Sequence, residues 1–173
     1  MMNIFIDADS CPLPCKDIII RLAYRPHMYI TFVANKVIKL PNYKSLRFIL
    51  STLQKNAADY VIINLASEND IIITSDKKLT SSLVNKNAIV ISPYGEVFTK
   101  YNFSSMQLGC IKSQDAYQYY GNTQNKPTFS KKHKANFANA LDSILAKLNK
   151  EAKNQVTSVI NTAPCTPPSH SLD

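Results

Sequence analysis

Several short stretches of this chain are apolar at nearly every position, and they recur between segments of helical spacing. Residues 3–6 contain Ile4-Phe5-Ile6, residues 29–33 contain Ile30, Phe32 and Val33, residues 71–73 are all isoleucine, and residues 88–91 are apolar throughout. A strand with one wet face alternates apolar and polar residues, whereas a strand covered on both faces does not. From Pro14, the residues Ile18, Ile19, Leu22 and Ala23 share one helical face, with proline at the permissive start and Pro26 closing the segment. Residues 77–85 fit a second helix with Leu79, Leu83 and Val84 inward. Residues 46–50 suit a short strand, although Leu46, Ile49, Leu50 and Leu53 also fit a helix. Val61, Ile62 and Ile63 favour a strand locally, but a strand there leaves too little chain before residues 71–75 for a parallel crossover, so 57–66 reads as helix. The expected fold class is α/β: one domain with a mainly parallel sheet flanked by helices on both faces.

The domain is expected to span residues 1–150 and to end in a basic helix over 130–150. Ser130 stands as its cap, and Phe137, Leu141, Ile144, Leu145 and Leu148 lie on one face. Before it, residues 122–129 read as a polar loop; after it, residues 154–173 are rich in Thr, Ser and Pro and read as a disordered tail. Lys plus Arg outnumber Asp plus Glu by 20 to 12, and residues 122–153 alone hold seven Lys against two acids. That concentration points to an anionic partner, with Lys131, Lys132 and Lys134 placed to meet a nucleic-acid backbone; a solvated lysine-rich helix face has the same composition.

Other classes are set aside by what is missing. No run approaches the roughly 18 apolar residues of a membrane span, and Asp7, Asp9, Lys16 and Asp17 near the start do not suit a secretory signal, so a cytoplasmic protein is expected. Gly95, Gly109 and Gly121 are isolated, so neither common glycine-rich phosphate loop can form. Cys11 and Cys15 have a spacing that zinc ligands use, but Cys110 and Cys165 are single and His27, His133 and His170 are scattered. No structural zinc site is expected, and the two thiols read as buried or first-turn residues.

In a parallel sheet the ligand crevice lies outside the carboxyl ends of the strands. Asp7 and Asp9 follow the first strand, Asn35 the second, and Asp76 the strand over 71–75; Asp59 joins them if the 57–66 helix begins near that edge. Clustered carboxylates repel one another, a cost that a divalent cation offsets, and an oxygen-only donor set suits Mg²⁺ or Mn²⁺. Such an ion promotes hydrolysis of phosphodiesters. Each acid also has a plainer reading: loop hydrogen bonding for Asp7 and Asp9, a helix cap for Asp76, and a first-turn acid for Asp59. Asn35, Lys36, Lys77 and Lys78 flank the edge and are candidates for positioning a phosphate-bearing substrate, as is Lys39. Tyr117, Tyr119 and Tyr120 are candidates for stacking bases.

The stretches Ile4-Phe-Ile-Asp-Ala-Asp-Ser-Cys-Pro12, Phe32-Val-Ala-Asn35, Ala58-Asp59, Ile72-Ile-Thr-Ser-Asp76, Pro93-Tyr-Gly-Glu96 and Phe137-Ala-Asn-Ala-Leu-Asp142 resemble, in order, the motifs of the YaiI/YqxD family (UPF0178, DUF188) of bacterial proteins. That family is uncharacterised and is grouped with PIN-like domains, metal-dependent nucleases with acids at the end of a parallel sheet. The resemblance implies Asp7, Asp9, Asp59 and Asp76 as catalytic and metal-holding acids, and Asn35 as the strand-end Asn. The chain departs from the family pattern at Tyr60, where a second acid is usual, at Tyr94, where an Arg is usual, at Gln124-Asn-Lys-Pro127, and at His133 and Lys134, where an acid and an Arg are usual.

These readings converge on a Mg²⁺- or Mn²⁺-dependent nuclease acting on RNA. A nucleic-acid-binding PIN-like domain without catalysis is the alternative that the departures favour. A haloacid-dehalogenase-like phosphatase would use Asp7 and Asp9 as nucleophile and acid, but it also requires a later acidic pair that Asp76 does not form.

Overall fold

The computed structural model describes residues 2–54, 56–103 and 129–160. Their element order is β1 (Met2–Asp7), α1 (Leu13–Leu22), β2 (Met28–Ala34), β3 (Leu46–Leu50), α2 (Ala57–Leu65), β4 (Ile71–Ile73), α3 (Lys77–Asn85), β5 (Ile89–Ile91), β6 (Val97–Phe98) and α4 (Lys131–Ile160). The six strands form one sheet in the order β3-β2-β1-β4-β5-β6. Neighbours from β3 to β5 are parallel, and only β6 runs antiparallel, pairing Val97 with Ile91 and Phe98 with Val90. The α/β class and the mainly parallel sheet are therefore as expected.

Right-handed crossovers dictate the layers. The step from β1 through α1 to β2 moves one way across the sheet, and the step from β4 through α3 to β5 moves the other, so α1 and α3 cover opposite faces. Phe5, Val33, Ile72 and Val90 pack with Ile62 of α2, with Ala66 just after it, and with Leu79, Leu83 and Val84 of α3. The alternate strand positions, Ile4, Ile6, Ile30, Phe32, Ile71, Ile73 and Ile91, are equally buried, and α1 buries Cys15, Ile19 and Leu22. Both faces being dry explains why β4 is three isoleucines; each contributes about 1.5–3 kcal/mol on burial.

By internal contacts the chain divides into two compact units, one to Leu141 and one from Asp142 on. The first is the α/β domain, which includes the buried Phe137 and Leu141 of α4. The second continues α4 and carries a surface ion pair between Lys147 and Glu151 at 4.0 Å. The expected end of that helix near residue 150 is corrected to Ile160. Glu151, Ala152 and Lys153 are good helix formers, and no Gly or Pro interrupts the chain before Pro164. Residues 154–160 of the expected tail are thus helical, while 161–173 lie outside the described residues, as do Tyr117, Tyr119, Tyr120 and most of the expected 122–129 loop. No helix among the described residues is long and apolar enough to cross a membrane.

Candidate acidic site at the carboxyl edge of the sheet

The strand order reverses between β1 and β4. From β1 the chain moves out to β2 and β3, then returns across β1 to lay β4 on its other side. A crevice opens at such a switch point, because the connections leaving the two neighbouring strands depart in opposite directions. Asp7 is the last residue of β1, and Thr74, Ser75 and Asp76 follow β4.

Asp7 is buried, with 5% of its surface exposed, and its Oδ2 accepts a hydrogen bond from Thr74 Oγ1 at 3.0 Å. The same hydroxyl oxygen accepts from the backbone N–H of Asp76 at 3.1 Å. Thr74 thereby ties Asp7 to the residue that begins the next helix. Asp76 Oδ1 accepts from the N–H groups of Lys78 at 2.7 Å and Leu79 at 2.9 Å, capping α3. Asp59 sits in the first turn of α2, half-buried. Burial, then the charges of Asp7 and Asp76, push its carboxyl up from 3.8 to about 6. Three acids from three separate elements therefore share one electrostatic site.

Asp9 is spent differently: it is exposed, and its Oδ2 accepts from Asn35 N–H at 2.8 Å, clipping the loop after β1 to the end of β2. Ser10 adds a second clip, its hydroxyl donating to Asp7 O and accepting from Ser75 N–H, both at 3.3 Å. Among the described residues two buried side-chain oxygens lack a partner, Asn35 Oδ1 and Ser51 Oγ. Both follow strands at this edge, where Ser51 N–H donates to Ala34 O at 2.8 Å. Lys36, Lys77 and Lys78 are exposed around it.

An all-oxygen set of repelling carboxylates has the donor chemistry of a Mg²⁺ or Mn²⁺ site. As they stand, however, no three His, Cys, Asp or Glu side chains among the described residues are gathered closely enough to hold a metal ion. Mg²⁺ retains several waters and takes one or two carboxylates directly, so it does not demand a closed protein cage. Cys11 and Cys15 are both buried free thiols. Hydrogen bonding to Cys15, then burial, pushes the Cys11 thiol well up, which opposes the thiolate that zinc requires.

Two departures from the family pattern touch each other. The rings of Tyr94 and His133 meet edge-on at 5.1 Å, with Phe129 at 6.4 Å from Tyr94 and 5.9 Å from His133. A Tyr–His contact thus occupies the positions where the resemblance leads one to expect an Arg and an acid. His133 also closes a reciprocal cap: its Nδ1 accepts from Ser130 N–H at 3.1 Å, and its N–H donates to Ser130 Oγ at 3.3 Å. Lys131, Lys132 and Lys134 are exposed on that first turn.

Two residues of the site region were not singled out from the sequence. Thr74 is invisible as a bridge until β1 and β4 are paired. Glu96, quoted only as part of a motif, is half-buried; burial raises its carboxyl, opposed by the Ser92 hydroxyl and by Lys77. Lys77 therefore lies within electrostatic reach of Glu96.

Fold and site together define a doubly wound α/β protein with an acidic group at its topological switch point. Residues 5–147 match the family described as an uncharacterised YaiI/YqxD family, and the chain belongs to it. Among curated relatives, a UPF0178 protein of Desulfotalea psychrophila is 38% identical over 151 residues, covering 85% of this chain and 99% of the relative. UPF0178 proteins of Colwellia psychrerythraea and Legionella pneumophila are 34% and 36% identical, covering 86% and 84% of this chain and 99% of each relative. No solved structure matches the chain.

Proposed function

We propose that this chain is a divalent-cation-dependent phosphodiesterase acting on nucleic acid, with RNA as the substrate class that the PIN-like resemblance favours. The observation that carries the reading is that Asp7 and Asp76 end β1 and follow β4 at the switch point, tied through Thr74, within electrostatic reach of Asp59. Asp7, held by Thr74 and buried, is the most rigid acceptor and the natural central ligand, with Asp76 beside it and Asp9 on the rim. A bound Mg²⁺ or Mn²⁺ would offset the repulsion and stabilise charge developing on the phosphate. Asp59 stands within the field of both acids, its carboxyl pushed up to about 6 by burial and then by their charges, and would be the group to accept the proton of an attacking water while the ester P–O bond breaks. Asn35, with its unpartnered Oδ1, and Lys36, Lys77 and Lys78 line the approach as positioning groups.

The replacement of an acid by Tyr60 and of an Arg–acid pair by Tyr94 and His133 favours a second reading, in which the domain binds nucleic acid without cleaving it. One pair of measurements separates them: calorimetric Mn²⁺ titration, and cleavage of single-stranded and structured RNA by the wild type and Asp7→Asn. The first reading expects Mn²⁺ binding and cleavage in the wild type and near-complete loss of both in the variant. RNA binding with neither metal binding nor cleavage assigns the second, and phosphate trapped covalently on Asp7 assigns phosphatase chemistry instead.

A further inference from the structure

At the opposite end of the sheet lies a second feature that the acidic edge does not use. An open groove of about 570 Å³ runs among the chain leaving α1, the start of β2 and the chain entering β3, with Tyr24, Tyr29, Tyr43 and Lys44 in its wall. None of the residues lining it is an acid. The size falls within the range of small-molecule sites, roughly 300–1,000 Å³. Met28 begins β2 at this end and Ala34 finishes it at the other, so the two edges stand about 20 Å apart at about 3.3 Å per residue.

The wall is built, not incidental. The rings of Tyr24 and Tyr43 meet at 4.8 Å with a 54° tilt, and their hydroxyls are hydrogen-bonded to each other. That bond pushes the Tyr43 phenol up. Ser45 Oγ donates to Ala23 O at 2.7 Å and Ile30 N–H donates to Ser45 O at 2.8 Å, fixing the β3 entry against the α1 exit. Arg47 stacks over the Tyr29 ring, its guanidinium carbon 5.7 Å from the centroid. Despite these ties Tyr24 remains 71% exposed, and His27 holds a left-handed backbone at φ 62° on the rim. Exposed aromatic faces beside cations, with no carboxylate in the wall, match a ligand that is planar at one end and anionic at the other.

We propose that this groove is a nucleotide site, in which a base stacks on Tyr24 while Lys44 holds its phosphate. A free nucleotide and one nucleotide of a single strand present the same chemistry. The site does not depend on the acidic edge.

Isothermal calorimetry of the full chain with adenosine monophosphate, with hexa-adenylate and with inorganic phosphate tests the proposal. Binding of either nucleotide probe, weakened about tenfold or more by Tyr24→Ala and also weakened by Lys44→Gln, is expected, since one stacked base accounts for a change of that order. Capture of the monophosphate identifies a free nucleotide as the source, and capture of the hexamer alone identifies a strand. Tyr24→Ala leaves the Mn²⁺ titration of the acidic edge unchanged, so failure of the acidic-edge reading and failure of this one are told apart. The proposal is overturned if neither nucleotide binds, if inorganic phosphate matches the monophosphate, or if both variants bind like the wild type while unfolding at its temperature. A loss confined to Lys131→Gln/Lys132→Gln/Lys134→Gln also overturns it.

Discussion

Replacing Asp59 by Asn removes one charge from a group that repels itself, and the consequence is readable in stability. The folded carboxyl is pushed from 3.8 to about 6. Between pH 4 and 6 the folded chain keeps that proton while the unfolded chain gives it up, so the wild type loses stability as pH rises through this window. A shift of roughly two units corresponds to about 3 kcal/mol if unscreened. Asp59 is only half-buried, and solvent screening reduces the effect to about 1 kcal/mol. The dipole of α2 pulls the other way, by about 0.3–1 kcal/mol for a first-turn acid, but the net direction at this carboxyl is upward. Asp59→Asn is therefore expected to be about 1 kcal/mol more stable than the wild type at pH 7, a gain of about 2–4 °C in Tm for a chain of this size, and no more stable at pH 4. Urea denaturation of both proteins at half-unit steps from pH 4 to 7.5 measures the difference directly. A variant no more stable at pH 7, or one whose advantage persists at pH 4, would refute the reasoning, because neither the burial of Asp59 nor the repulsion from Asp7 and Asp76 would then act on its carboxyl.

Two further outcomes follow from the geometry. Gly95→Ala is expected to destabilise the domain by about 2 kcal/mol or more in urea denaturation, because Gly95 sits at φ +94° and an added Cβ falls 2.6 Å from the backbone carbon of Asn136. Changing Lys131, Lys132 and Lys134 together to Gln is expected to flatten the slope of log K against log salt for single-stranded RNA by up to about two units, at roughly 0.7 per phosphate contact; an unchanged slope in a fluorescence-anisotropy titration assigns those exposed lysines to solvation alone.

Much of this arrangement is legible without coordinates because it is local or topological. Apolar runs show that both sheet faces are covered, and α2 is recognisable despite its β-favouring Val61, Ile62 and Ile63 because a parallel crossover needs a helix there. Asp7 and Asp76 are legible as edge residues because each directly follows a recognisable strand. What escapes depends on pairing between distant segments. Thr74 becomes a bridge only when Ile6 stands beside Ile73, and β6, with two residues, is too short to display a period. The end of α4 escapes for the opposite reason: a fall in apolar content marks where a helix stops being covered, whereas the backbone continues until something breaks it.

The switch point also fixes when the acidic edge can come into being. Asp7 is synthesised before the other two acids, Asp59 arrives with α2, and Asp76 takes its place only after β4 has docked against β1 through Ile4–Ile71, Phe5–Ile72 and Ile6–Ile73. A nascent chain that still lacks β4 exposes Asp7 without Thr74 to orient it or Asp76 to share its field. The acidic edge is thus assembled only once the chain through β4 and the start of α3 has been made and the central strands have closed.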